Sequence, residues 1–343
     1  MRILVTGHNG YIGSVMVPVF QTLGYEVMGL DTYYFKDCTF GQESPQVPSL
    51  GKDVRDVTLA DLQNLDAIVH LAALCNDPLG DLNPNWTYDI NYIAAVHLAE
   101  LAKEAGVQRF LYASSCSMYG AANKEEILTE SAPLRPLTSY AVSKVRAEEE
   151  IAKLANTTFS PVFMRNATAY GFSPRLRTDV VLNNLIGWAY TTGKVRILSD
   201  GTPWRPIVHV EDIALAFASV LAAPQEVIHN QAFNVGVNDE NYQVRNLAEL
   251  VREIVPGCEV EYAKEGRPDP RNYRVDFSKL ATTLPNFQPK WNARLGAKHL
   301  YSTFQQIGFM LDDFQSRKFT RLKQLQCLLD TGYLDNTLRW KRG

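Results

Sequence analysis

The chain has 343 residues, 46% of them hydrophobic, enough apolar material for a large core and one or two domains. Its net charge of −3 leaves no bulk basic surface for nucleic acid, and no apolar run reaches the roughly eighteen residues of a membrane span. Five scattered cysteines (Cys38, Cys75, Cys116, Cys258, Cys327) lack paired metal-ligand spacing, and no basic-then-apolar leader precedes the first strand, which points to a cytoplasmic protein with reduced thiols.

Residues 2–6 (RILVT) read as a short buried strand. It runs into Gly7-His8-Asn9-Gly10-Tyr11-Ile12-Gly13 and then into a helical stretch carrying Val15, Val17, Phe20 and Leu23. Strand, glycine turn and helix start are the context of a dinucleotide fingerprint, here spaced GxxGxxG rather than GxGxxG. Gly7 permits the turn, Gly10 lets a pyrophosphate approach the backbone, and Gly13 lets helix and strand pack. The phosphates would rest on the helix N-terminus. A second strand, residues 26–31, ends on Asp31, roughly twenty residues after the glycines, where a carboxylate accepts from the adenosine ribose hydroxyls. No arginine follows in residues 32–35, so NAD is expected over NADP.

Apolar strand candidates at 67–73 (with His70 in it), 109–115 and 160–165 then alternate with helices at 91–105 and 140–155. This alternation predicts an α/β fold with a doubly wound parallel sheet of the Rossmann type. Within the second helix, Tyr140 and Lys144 stand four apart and share one face. A cation beside a phenol favours the phenolate and brings proton transfer into the working pH range. Beyond residue 171 prolines break the chain into short elements. We expect a dinucleotide-binding domain over 1–171, to which 201–223 returns; a smaller substrate-binding lobe over 172–200 and 224–295; and a helical C-terminal extension over 296–343, with an apolar stripe predicting a helix over 314–329. Residues 208–223 predict a strand end and helix.

Thr6-Gly7-x-x-Gly10-x-x-Gly13, Asp31, Asp53-Val54, Leu71-Ala72-Ala73, Asn91, Ser114-Ser115, Tyr140-x-x-x-Lys144 and Arg205-x-x-Val208-His209-Val210-x-Asp212 occur in this order. The set resembles the extended short-chain dehydrogenase/reductases, specifically the nucleotide-sugar epimerase/dehydratase family, from residue 1 to about 295. The resemblance implies that Tyr11 and Ile12 join the glycines on the cofactor, that Asp53 and Val54 hold its adenine, and that Leu71, Ala72 and Ala73 line its pyrophosphate. Asn91 would support the central helix, Ser115 and Tyr140 would bond the reacting sugar hydroxyl, and Lys144 would bind the nicotinamide ribose. Asn183, Arg205 and Arg267 would grip the substrate diphosphate. His70 and His209 read as strand-end residues.

Residues 115–117 are Ser-Cys-Ser, where the family's dehydratases carry an Asp-Glu pair after the serine or threonine. Cys116 is either a small buried residue or a sugar contact, since some relatives use a cysteine one position later. Thr168 replaces a frequent asparagine. The resemblance implies an NAD-dependent epimerase, with C4 the expected position and a nucleotide-diphosphate sugar the substrate; a 4-ketoreductase and a non-catalytic NAD-binding protein are the alternatives. It also implies a homodimer through the helices at 91–105 and 140–155, by way of Val142, Val145, Ile151 and Leu154.

Overall fold

Strands rich in β-branched and aliphatic residues, each followed by a helix or turn, assemble into one seven-stranded sheet. The computed structural model describes residues 1–43, 46–75, 82–122, 126–197, 199–262 and 271–341. The strands are β1 (Arg2–Thr6), β2 (Glu26–Asp31), β3 (Ser49–Gly51), β4 (Ala67–His70), β5 (Arg109–Ser115), β6 (Ser160–Asn166) and β7 (Gln231–Val235). They lie in the order β7-β6-β5-β4-β1-β2-β3, with neighbouring strands parallel throughout. Chain progression reverses between β1 and β4, and ligands bind outside the carboxyl ends of strands at such a switch point. Both faces of the sheet are covered. Ile3 and Val5 of β1 join one apolar cluster with helices α1 (Gly13–Thr22) and a later helix over Val210–Ala222, while Leu4 joins another under Ala94–Glu104.

The remaining long helices are α2 (Ala94–Glu104), α3 (Ser139–Ala152), α4 (Val181–Thr192), α5 (Val210–Ala222), α6 (Val244–Ile254), α7 (Ala293–Ile307) and α8 (Arg321–Asp330). A short helix, Pro84–Tyr88, and one wide π turn, Asp89–Ile93, lead directly into α2. Such a π turn re-aims one side chain, and here it carries Asn91. Helices α4, α6 and α7 enclose a third apolar cluster with Tyr170, Ile207 and a set of phenylalanines. Two small sheets border it, one formed by Thr168–Tyr170, Trp204–His209 and Asn241–Gln243, the other by Lys194–Ile197 and Glu259–Tyr262.

Three expectations change. Strand β7 falls inside the stretch assigned to the second lobe, yet it pairs parallel with β6 at the sheet edge, because Phe233 and Val235 bury fully against the first-lobe core. The stripe over 314–329 is not one helix. It breaks into Leu311–Gln315, a 3-10 turn Arg317–Phe319, and α8, since Phe319 turns into the third cluster and its carbonyl accepts from the Thr178 N–H and hydroxyl. Nor does 296–343 act as one piece. Its first part closes the third cluster, whereas Leu325, Leu334 and Leu338 pack back into the cluster beside β2 and α2. Among the described residues, no helix is long and apolar enough to cross a membrane.

Candidate active site

A cleft of about 910 Å³ runs along the carboxyl ends of β1 to β6. On its β1 side Gly7 takes φ +73°, and a side chain there would meet the Ala72 backbone at 2.9 Å. A Cβ on Gly13 would come within 2.3 Å of the Gly7 carbonyl, so turn and helix touch through backbone alone. Helix α1 opens at Ile12 with no side-chain cap and no acid in its first turn. Its first N–H groups and dipole therefore suit an anion, and the turn with Gly10, Tyr11 and Ile12 on the cleft wall fits a dinucleotide pyrophosphate. Asp31 is half-buried and accepts from the Asn9 and Tyr33 amides at 3.1 and 2.7 Å, which leaves lone pairs for ribose hydroxyls. Burial raises its carboxyl above the ordinary range.

Asp53 and Val54 also line the cleft. Both Asp53 carboxylate oxygens are held by Arg55, through Nε at 3.0 Å and Nη2 at 2.7 Å, and Arg339 approaches from the C-terminus at 3.5 Å. Leu71, Ala72 and Ala73 form the wall beyond β4, and Ala72 donates to the Thr6 hydroxyl. Asn91 lies behind that wall rather than on it. Its side-chain oxygen accepts from the Leu74 amide at 2.8 Å and its nitrogen donates to the Leu74 carbonyl at 2.9 Å, which fixes the loop.

Thr138 caps α3 and thereby aims its first turn at the cleft, where Tyr140 and Lys144 both appear. The Lys144 ammonium donates to the Ala113 carbonyl at 2.7 Å, lies over the Tyr112 ring at 4.5 Å, and stands 5.8 Å from the centre of the Tyr140 ring. Burial lowers its pKa to about 8. Ser115, at the end of β5, bonds the Ser117 hydroxyl at 2.9 Å and also lines the cleft. Asn166, at the end of β6, donates to the Ser114 carbonyl, but its buried side-chain oxygen has no partner among the described residues. Sequence reasoning passed over Asn166; its place one strand from Ser115 at the sheet's carboxyl edge was the available signal.

On the far side Arg205 and Arg271 line the cleft, joined by an Arg205 guanidinium bond to the Arg271 carbonyl. Arg267 lies outside the described residues. Asn183, an expected contact, is not brought to the wall, and of the two readings of Cys116 it is the buried one that the structure shows. Cys116 turns inward on the 3-10 turn after β5, its thiol on the Arg165 carbonyl at 3.0 Å, and burial raises its pKa well above the thiol range. It is Ser117 that faces the cleft. Asn183 is fully buried and spends its amide on Gly171, Tyr11 and the Arg177 carbonyl, so it braces the glycine turn's Tyr11 instead of meeting a ligand. His70 bonds Thr6, while His209 caps α5 and stacks on Trp291 at 4.1 Å; neither lines the cleft, and burial holds both neutral, with pKa about 3. Unforeseen in the sequence, Arg177 pairs with Asp179 through two bonds of 2.8 and 3.1 Å, and both line the cleft beside Arg321.

A doubly wound sheet with this strand order, and a Tyr-x-x-x-Lys helix facing a serine across the dinucleotide turn, define an extended short-chain dehydrogenase/reductase. Residues 3–236 match the NAD dependent epimerase/dehydratase family; the chain belongs to that family, is an enzyme of it, and uses NAD. UDP-glucuronate 4-epimerase of Thermodesulfobacterium geofontis (strain OPF15) is 28% identical over 318 residues, covering 86% of this chain and 93% of its own. UDP-glucuronic acid decarboxylase 1 of Arabidopsis thaliana is 27% identical over 316 residues, covering 89% and 70%. Among solved structures, MoeE5 in complex with UDP-glucuronic acid and NAD superposes with a TM-score of 0.77 at 25% identity, covering 89% of this chain and 99% of that one. These similar proteins share a family and differ in reaction.

Proposed function

We propose that this enzyme is a nucleotide-sugar epimerase that acts at C4 through a transient 4-keto sugar. The observation that carries the proposal is the state of the cleft's carboxylates. Those described in its wall are Asp31, Asp53 and Asp179, and each is engaged, by backbone amides, by Arg55 and by Arg177 respectively. Cys116 and Ser117 supply no acid in their place. The site is thus equipped to move a proton on an alcohol oxygen and poorly equipped to eliminate water from carbon.

Tyr140 takes the C4 hydroxyl proton, and the Lys144 ammonium favours the phenolate that makes this possible. Ser115 donates to the same oxygen and steadies the charge that develops there. NAD held on the glycine turn, Asp31 and Lys144 would supply reversible hydride acceptance beside the C4 position. Arg205, with the chain around Arg271, anchors the diphosphate by charge-assisted bonds, so the keto sugar can turn over without leaving. The names of similar proteins, which include 4-epimerases for UDP-glucose and UDP-glucuronate, support this choice.

Mass spectrometry of the purified, acid-quenched protein tests the reading. Stoichiometric NAD with a nucleotide-diphosphate sugar supports it; a bound NADPH, or reduced cofactor that falls in step with product, gives the reaction to the ketoreductases. We further propose a homodimer through the helices of 91–105 and 140–155. Ile93 is 57% exposed and Val142, Val145 and Leu154 are partly so, whereas Ile151 is fully buried in its own chain and drops out of that face. A monomer by light scattering at micromolar concentration would defeat the dimer.

A further inference from the structure

We infer that Arg321, carried by the C-terminal segment, is a ligand of the NAD pyrophosphate, so that residues 320–340 form a wall of the cofactor site. The inference rests on the cofactor and not on which reaction the enzyme performs. Arg321 is 4% exposed and lines the cleft with Thr320 and Leu322. Its guanidinium lies over the Phe35 ring at 4.2 Å, and its Nη2 donates to the Arg175 carbonyl at 2.8 Å. Its Nη1 is buried and has no hydrogen-bond partner among the described residues.

Burying a guanidinium without a counter-ion costs several kcal/mol, which ordinary proteins avoid by pairing it. The neighbouring arginines obey that rule: Arg177 holds Asp179, and Arg175 holds Glu43 at 2.9 Å. Arg321 makes no ion pair of its own among the described residues, since the nearby Asp179 attracts it but is held by Arg177; burial and the like charge of Arg177 outweigh that attraction and lower its pKa to about 10. An anion seated between Arg321 and the amide-lined turn would meet both needs. The charge of Arg321 already reaches Tyr11 in that turn.

The position selects the dinucleotide over the sugar nucleotide. Phe35 belongs to the loop that follows Asp31, on the adenosine side, whereas Arg205 and Arg271 mark the other end. The rest of the segment clasps the same side. Gln324 donates to the Tyr34 carbonyl at 3.1 Å, Trp340 to the Thr32 carbonyl at 2.6 Å, and Tyr34 and Arg55 both donate to the Leu338 carbonyl. Residues 320–340 lie beyond residues 3–236, the stretch that matches the family. This wall would bury the cofactor and slow its exchange.

The test is binding to the full-length, NAD-stripped enzyme by calorimetry, with NAD, ADP-ribose, adenosine and UDP as separate probes. Arg321→Gln should weaken NAD and ADP-ribose alike, by about 10- to 100-fold, because one charge-assisted contact to phosphate is lost. Adenosine and UDP should bind as to the unaltered enzyme. Arg321→Lys keeps the charge without the fork, should recover part of the loss, and serves as the reading should the glutamine variant fail to fold. Unchanged NAD affinity would overturn the inference. So would a loss confined to UDP, which would move Arg321 to the substrate, or an equal loss for adenosine, which would make it packing alone.

Discussion

The two ends of the cleft are built differently. At the end proposed for the nicotinamide, Ser115, Tyr140 and Lys144 come from adjacent elements, β5 and α3, and the buried Glu148–Arg165 pair ties α3 to β6 behind them. At the end proposed for the adenosine, the wall residues Thr32 and Tyr34 are backed by residues some 300 positions later, Trp340 and Leu338. The first end has short-range geometry locked by a helix; the second depends on a C-terminal strap that must dock. Chemistry and cofactor retention should therefore fail separately.

The sharpest break is Tyr140→Phe. It should lower turnover about a thousandfold, the range for loss of a general base, with NAD content unchanged; near-normal turnover would remove the tyrosine from the chemistry. Next, Glu148→Ala strands the Arg165 guanidinium, which Glu148 holds with bonds of 2.7 to 3.2 Å. Chemical denaturation should show a loss of about 4 kcal/mol, as for other broken buried pairs. At the other end, Leu338→Ala opens a cavity at a fully buried site and should cost about 3 kcal/mol. Its signature should be local: faster hydrogen exchange in 320–340 and weaker NAD, with turnover restored at saturating NAD. A loss of turnover that NAD does not restore would erase the distinction between the ends.

The smallest effect is electrostatic. Burial sets Lys144 at about 8, against an ordinary 10.5. Between those values the unfolded chain binds more protons, so the penalty is full below pH 8 and stability rises as pH goes from there toward 10.5. The rise should be on the order of 2 kcal/mol and absent in Lys144→Met, as read from urea midpoints at pH 7.5 and 9.5. Equal slopes in the two proteins would contradict the burial of the ammonium.

The same division governs what could be read from the sequence. The parallel sheet, the glycine turn, Asp31 and the Tyr140–Lys144 spacing depend on period and short-range order, and they were legible for that reason. A motif position does not say which way a turn or a helix start points, so the sequence leaves Cys116 open between core and wall and puts Asn183 at the wall. The 3-10 turn after β5 sends Cys116 inward and Ser117 outward, and Asn183 is consumed by Gly171 and Tyr11. Strand β7 was assigned to the wrong lobe since sheet membership is decided by a partner 70 residues away. The role of 320–340 was invisible because its contacts, Arg321 to Arg175 or Trp340 to Thr32, are all long-range.

The central claim is that a proton leaves the sugar's C4 oxygen at Tyr140 while the C4 hydrogen stays within the enzyme. Incubation with UDP-hexoses deuterated at C4, followed by NMR and mass spectrometry of the recovered nucleotide sugars, addresses it most directly. The account predicts the C4 epimer with deuterium retained at C4 and no net change in reduced cofactor. Deuterium lost to water, or a product formed with stoichiometric consumption of NADH, would contradict it.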